Sequence, residues 1–467
     1  MLAAPARRFI ACRLIIDMIS PRFRSLLLGL FYAALASLPL SINWFSPWGH
    51  FGLLVAAEPL MVLTVGLLGL GVLAGWVARP GPSSLLDKLV GLHLGALLLA
   101  TAFSSDVRVS AKYVATVLVF VGFGYGVPRV LRLGRTEWRR AGAALGAGTG
   151  ALALYVLARH VQQGITYPLS YAIAQPFLQH GHTNLTVLLE PLVLGLNLVL
   201  LFSPRAQGPR GRLLATALLT AVLMVGAFSY SRASYASLLV QAVLLLVLLG
   251  RTAAARLWLP WAVAGALTFG AWQGITWRLA LPEEAAAAAA PVIDAGKTPT
   301  LLHELKSVSD FTATNESNAE RLNRWKYGLV LYRRTPLVGI GPGTFPDRYL
   351  EFAQEVPANR RYYTTFRRMN VHNLYLGWLI EAGALGLLTG LLVLGYAVLR
   401  QLRRVLHGER SALAVGLALY FVFFLLHSFA QDFWQEPRVI VVFWLAISLQ
   451  RYAAQAANDP ADSPLLA

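Results

Sequence analysis

The sequence predicts an all-α, polytopic membrane protein, and three observations carry that prediction. Hydrophobic residues fill 57% of the 467 positions against 13% charged, with a mean hydropathy of +0.57, which is more apolar surface than a soluble fold can hide. The apolar residues fall in runs of about 20, the length at which a helix crosses roughly 30 Å of hydrocarbon. The cations gather in short connections between those runs, on alternate connections, with few on the others, which is how membrane topology is written. The formal charge of +18 is therefore a topology signal, and no nucleic-acid partner is expected. The single cysteine, Cys12, excludes an intramolecular disulfide, so any domain outside the bilayer holds together by packing alone. The first apolar run is not read as a cleaved leader, because many further spans follow it.

In order, the spans are expected near 23–40, 56–78, 85–103, 113–130, 141–158, 185–202, 213–229, 234–250, 257–277, 374–399, 412–429 and 439–449, about 12 transmembrane helices. One set of connections holds Arg7, Arg8, Arg13, Arg22, Arg24, then Arg79 and Lys88, Arg129 to Arg140, Arg205 to Arg212, Arg251 and Arg256, Arg400 to Arg410, and Arg451. The alternate set is poor in cations: 41–55, 104–110, 160–184, 229–232 and 431–438. The first set is expected to be cytoplasmic, with both termini inside, and the second to face outward. Four parts follow: N-terminal helices over 1–277, about nine of them; an outward loop domain over 278–371; about three C-terminal helices over 372–452; and a tail over 453–467. The cations of the long loop do not contradict this, since long translocated loops escape the rule.

Within the loop domain, 283–311 contains the alanine run Ala285 to Ala290 among Pro, Gly, Lys and Asp and is expected to be mobile. The second half is organised. Leu322, Trp325, Leu329 and Tyr332 recur at helical spacing as an apolar stripe, and Thr335-Pro336 ends the helix. Arg321 and Arg324 project from neighbouring positions of that helix. Gly339-Ile340-Gly341-Pro342-Gly343 is a turn that lets backbone pass close to something, and Tyr349, Phe352, Tyr362, Tyr363 and Phe366 add aromatic surface.

The candidate chemistry gathers where this loop becomes an apolar helix, at Met369-Asn370-Val371-His372-Asn373-Leu374. His372 is a titratable imidazole at a membrane surface, able to take a proton from a sugar hydroxyl without a metal; the plainer alternative is a helix-start histidine bonded to backbone. Asn373 orients it or caps the helix. Arg232, in Phe228-Ser229-Tyr230-Ser231-Arg232-Ala233-Ser234, runs against the positive-inside bias and implies an anionic partner or snorkelling into headgroups; Tyr230 lies beside it. Arg321 and Arg324 suit a two-oxygen phosphate clamp. His182, with His180 nearby, is a polar helix entry that lines the same cleft; two histidines without a third ligand make zinc improbable, so no metal is expected. Glu58, His93, Glu190 and Glu381 lie within apolar runs, where an ionisable group faces a cavity or a partner. Glu381 lies nine residues beyond His372 along one helix, some 13 Å deeper, which suggests helix pairing instead of contact with the imidazole. Asp432, Glu436 and Arg438 form an internal ion-pair group on the plainest reading. No phosphate-binding G-x-x-x-x-G-K-[ST] loop and no D-x-D pattern is present in the sequence, so the donor arrives already activated, and a lipid pyrophosphate fits the outward cations.

Trp325 to Tyr332, Pro336 to Phe345, and Val371-His372-Asn373-Leu374-Tyr375-Leu376 running into Glu381-Ala382-Gly383-Ala384-Leu385-Gly386 together resemble the O-antigen ligase and polymerase superfamily. The resemblance covers Arg232 and the outward loop through the following span. It implies a GT-C-like membrane fold in the bacterial inner membrane, no cofactor, and an inverting, metal-independent glycosyl transfer on the periplasmic face. In ligases of the family, glycan leaves undecaprenyl pyrophosphate and joins a sugar hydroxyl of lipid A-core. By motif position His372 corresponds to the essential loop histidine and Arg232 to the interhelical arginine; Arg321 and Arg324 correspond less closely. A ligase is favoured over a polymerase because one outward loop dominates. A protein O-oligosaccharyltransferase of the same superfamily is a further alternative, and a polytopic transporter is the alternative outside enzymes, disfavoured because the polar groups cluster on one face and not at the midplane.

Overall fold

The computed structural model describes residues 21–45, 52–77, 83–170, 172–178, 182–278, 316–355 and 369–456. Helices dominate. In chain order they are α1 (Pro21–Ser37), α2 (Ala57–Leu73), α3 (Leu85–Ala102), α4 (Val107–Val121), α5 (Arg135–Gln163), α6 (His182–Phe202), α7 (Pro209–Phe228) and α8 (Arg232–Arg278). They continue as α9 (Glu316–Arg334), α10 (Phe345–Glu355), α11 (Leu374–Glu381), α12 (Gly383–Leu406), α13 (Ala412–Ala430) and α14 (Pro437–Ala456). A short antiparallel hairpin, β1 (Ile42–Phe45) with β2 (Gly52–Val55), pairs Ile42 with Val55 between α1 and α2.

Local chemistry sets the helix starts. Ser84 and Asp87 form a reciprocal capping box for α3, and Asp106, Asn373 and Ser411 accept from first-turn amides of α4, α11 and α13. Among the described residues, nine helices are long and apolar enough to cross a membrane, and α2, at 17 residues, is a shorter apolar helix. The chain is thus an all-α, multi-pass membrane protein. The runs expected at 234–250 and 257–277 share α8, which is broken at Gly250, where φ is +54°. The span expected as one helix from Leu374 is instead two, because Gly383 at φ +69° turns the chain after the eight residues of α11.

The described connections of the two sets fall at opposite ends of the bundle. At one end, Arg24 pairs with Glu137 at 3.1 Å, Arg129 with Asp87 at 3.2 Å and Arg404 with Glu409 at 2.6 Å. At the other, the Ser105 amide donates to the Ile340 carbonyl at 2.9 Å, and Arg438 Nη2 donates to the carbonyls of Ser41 (2.7 Å) and Phe177 (2.6 Å). The first is the arginine-rich end; the second carries the described part of the loop domain.

That part has its own small core of Leu331, Ile340, Phe345, Tyr349, Val371 and Ile380, with Trp325, Tyr327 and Tyr332 packed on it. The helical stripe differs from the expected one, since Leu329 is exposed while Leu331 is buried. Gly328 explains the rotation. A Cβ there would stand 2.3 Å from Ile380 Cδ1, so α9 approaches α11 closely at a residue with no side chain, and Leu329 on the next position faces outward. Segment 283–311, Cys12, His180, Tyr362, Tyr363 and Phe366 lie outside the described residues, as do the side chains of Phe352 and most of the expected tail.

Candidate active site

The approach to α11 is pinned residue by residue. The Asn370 carbonyl accepts from Arg324 Nη1 at 3.1 Å, and the Val371 carbonyl accepts from Trp325 Nε1 at 3.1 Å. Asn370 Oδ1 accepts the His372 amide at 3.1 Å. Asn373 Oδ1 accepts the Leu376 amide at 2.9 Å, so Asn373 caps the helix, while its Nδ2 donates to the Phe429 carbonyl at the end of α13 at 3.1 Å. Held from both sides, His372 adopts φ +53°, a left-handed conformation that costs a side-chain-bearing residue about 1–2 kcal/mol.

Three non-glycine residues among those described have positive φ: Arg132, Tyr230 and His372. Arg132 simply ends the helix before it as a left-handed cap. The other two lie in the two segments singled out from the sequence, and strain of this kind persists only where the surroundings enforce it.

His372 is mostly buried, and its Nδ1 has no hydrogen-bond partner among the described residues. Burial pushes its pKa well below the usual imidazole value, and the charges of Arg324 and then Arg321 push the same way. Burial and the two guanidiniums thus both favour the neutral ring, whose Nδ1 is itself buried without a hydrogen-bond partner among the described residues. Arg324 is buried: its Nε donates to the Glu320 carbonyl at 3.2 Å, its Nη1 holds Asn370, and the Glu320 carboxylate lies 3.8 Å away. Its visible contacts make it a loop anchor more than a clamp. Arg321 is half-buried on the same helix.

The second segment caps α8. Arg232 is the first residue of that helix and His182 the first of α6, and their side chains lie outside the described residues. The two helix starts meet where Thr186 Oγ1 donates to Ser231 Oγ at 3.2 Å. Tyr230 is buried, its ring edge-on to Trp272 at 5.5 Å and its hydroxyl donating to the Ile165 carbonyl at 3.5 Å. It packs the turn beneath Arg232. The structure therefore joins His372, Asn373, Arg321 and Arg324 in one cluster, and at the same end of the bundle it brings the start of α8 against α6 through Ser231 and Thr186.

Glu381 is not the helix-pairing group expected from its distance to His372. The break before Gly383 leaves the Ile380 and Glu381 carbonyls to accept from Ile340 (3.0 Å) and Gly341 (2.9 Å), and the Glu381 carboxylate accepts from the amides of Gly343 (2.8 Å) and Phe345 (3.1 Å). One acidic side chain thus fastens the glycine turn to the membrane bundle. The turn's own glycines are needed there: a Cβ on Gly341, at φ +112°, would fall 1.9 Å from Ser104 Oγ.

Asp432 was legible only as part of an ion-pair group. Glu436 and Arg438 do pair, at 2.8 Å, but Asp432 stands apart: its carbonyl accepts from Asn370 Nδ2 at 3.5 Å, its Oδ1 from the Trp434 amide at 3.2 Å. Burial raises its carboxyl to about 7. Its proximity to Asn370 could not be read from a separation of 62 residues. Among the described residues, no three His, Cys, Asp or Glu side chains gather as a metal site would require.

Compared with known families, residues 215–391 match the profile described as O-antigen ligase. The match runs from α7 into α12 and so spans Arg232, Arg321, Arg324, His372 and Glu381. No curated protein matches the chain.

Proposed function

We propose, from the premise that this chain belongs to the O-antigen ligase family, that it transfers glycan from undecaprenyl pyrophosphate to a sugar hydroxyl of lipid A-core. The reaction takes place on the periplasmic face of the bacterial inner membrane, beneath a loop domain formed by 278–371. The acceptor oxygen attacks the anomeric carbon as the bond from that carbon to the pyrophosphate oxygen breaks, which inverts the centre. The acceptor's proton passes to His372, and the pyrophosphate leaves with the bonding electrons. Its growing negative charge is the main electrostatic demand of the step. Arg321 and Arg232 meet that demand, with His182 and Tyr230 flanking Arg232, while Arg324 and Asn373 hold the histidine in place.

The observation that carries this reading is the geometry of His372: a left-handed residue in a segment pinned by Arg324, with a buried Nδ1 that has no partner among the described residues, and with the charges of Arg324 and Arg321 acting on it. Those charges have a second consequence. A bound diphosphate cancels part of their field, so the imidazole becomes a stronger base when the donor is in place.

Reconstitution of purified protein with a defined lipid-pyrophosphate glycan tests the reading. Glycan should appear on lipid A-core, and His372→Ala should abolish it with the protein still inserted. Transfer to a second donor molecule alone would indicate a polymerase, transfer to a Ser or Thr hydroxyl a protein oligosaccharyltransferase, and solute uptake without transfer a transporter. Full transfer by the alanine variant removes the histidine from the mechanism.

A further inference from the structure

A second polar cluster lies inside the bundle, one to two turns below the start of α8. Glu190 of α6 is buried, next to Pro191 within that helix. Its Oε1 accepts from Ser234 Oγ at 2.5 Å and lies 3.1 Å from His427 Nε2, and its Oε2 accepts from Ser237 Oγ at 2.6 Å. One carboxylate thus fastens two successive turns of one face of α8 to α6 and to α13. His427 is equally buried, and its Nδ1 has no partner among the described residues. A carboxylate and an imidazole are expensive to bury among apolar helices, which marks the pair as more than filling.

The position of His427 on its helix shows what the pair connects. Two residues before it, the Leu425 carbonyl accepts from the Tyr375 hydroxyl at 3.0 Å; two residues after it, the Phe429 carbonyl accepts from Asn373 Nδ2 at 3.1 Å. The last turns of α13 therefore hold the His372 segment through backbone carbonyls and the Arg232 helix through the imidazole. Both halves of the site hang on one rigid rod.

We infer that the Glu190–His427 pair is a positioning element that sets the Arg232 turn against His372. The roles of those two residues rest on the function proposed above; the tie between the segments does not. Two measurements separate the claims. The first needs no substrate. In His427→Leu, hydrogen exchange at the amides of 231–237 and 372–376 should quicken by about tenfold, because local opening of both segments becomes easier. Amides around Asp87, at the opposite end, should be unaffected. Unchanged protection at both segments overturns the inference, whether or not the protein transfers glycan.

The second is a kinetic cycle. His427→Leu should lower kcat about tenfold, while His427→Gln, whose amide can donate to Glu190 in place of Nε2, should stay within about threefold of wild type. In an Arg232→Lys background the leucine penalty should shrink to about threefold or less, since groups acting through one another are not additive. A full tenfold penalty in both backgrounds, or a glutamine variant no better than leucine, overturns it. Should His427→Leu fail to insert, Glu190→Gln, which keeps the side-chain shape, takes its place in both experiments with the same expected pattern.

Discussion

Both ends of the bundle gather arginine, yet they use it in opposite ways. At the arginine-rich end, Asp87 accepts from the Ser84 amide (2.6 Å) and hydroxyl (2.8 Å), from the Tyr125 hydroxyl and from Arg451, with Arg129 at 3.2 Å. One answered carboxylate thus joins α3, the continuation of α4 over 122–131 and the end of α14. At the loop-domain end the backbone around His372 is as firmly held, through Arg324, Trp325 and Asn373. There, however, the imidazole keeps a buried Nδ1 with no partner among the described residues, and a strained φ. A satisfied buried network rigidifies. A network that fixes a group without satisfying it singles that group out for a role other than holding the fold.

The sharpest way to break this contrast is to remove one centre from each end. His372→Ala should cost transfer about 10²–10⁴-fold, the range for a lost general base, while shifting the unfolding midpoint little. Asp87→Asn should do the reverse. It leaves Arg129 and Arg451 short of a counter-charge, at about 3 kcal/mol of stability, and transfer per folded molecule should be unchanged. Denaturation and turnover measured on the same reconstituted samples decide it. If the alanine variant proves the less stable of the two, the histidine belongs with the structural network.

A smaller effect sharpens the boundary between the two kinds of network. Glu381 is buried at the site end yet its carboxylate is answered by the amides of Gly343 and Phe345. Glu381→Ala should therefore behave structurally, costing about 2 kcal/mol for the two stranded amides and speeding hydrogen exchange across 341–345. Unaltered exchange there would show that the glycine turn is held by packing alone.

How much of this the sequence discloses depends on the range of the interaction. Most helix positions, the helix over Arg321 and Arg324, and the capping role of Asn373 are local and follow from periodicity and helix-end chemistry, whereas the expected spans, about 12, outnumber the nine helices long and apolar enough to cross a membrane among the described residues. The break at Ala382-Gly383 was missed because Leu374 to Leu399 is apolar throughout, and an apolar run masks a turn that only a tertiary partner requires. Glu381 was misassigned for the same reason: depth along an assumed straight helix says nothing once the helix bends to receive another backbone. The rotation of α9 depends on Gly328 meeting Ile380, and the tie from Glu190 to His427 spans 237 residues. Neither contact leaves a trace in local pattern.

The finest test concerns the charge state of the His372 imidazole. An unfolded histidine binds its proton near pH 6.5, whereas His372 in place resists protonation well below that. Between those two values the unfolded chain holds the extra proton, so this group's contribution to stability falls as pH drops below 6.5. Asp432 acts with the opposite sign. Its carboxyl, raised to about 7 from 3.8, holds the extra proton in the folded state, so its contribution falls as pH rises through that window. Activity separates the two groups. The acid limb of kcat/KM, which reports the free enzyme, should lie below pH 6.5, and the limb of kcat should lie higher, because a bound diphosphate offsets the arginine field. A kcat/KM limb near 7 that disappears in Asp432→Asn would move the base from the imidazole to the carboxylate.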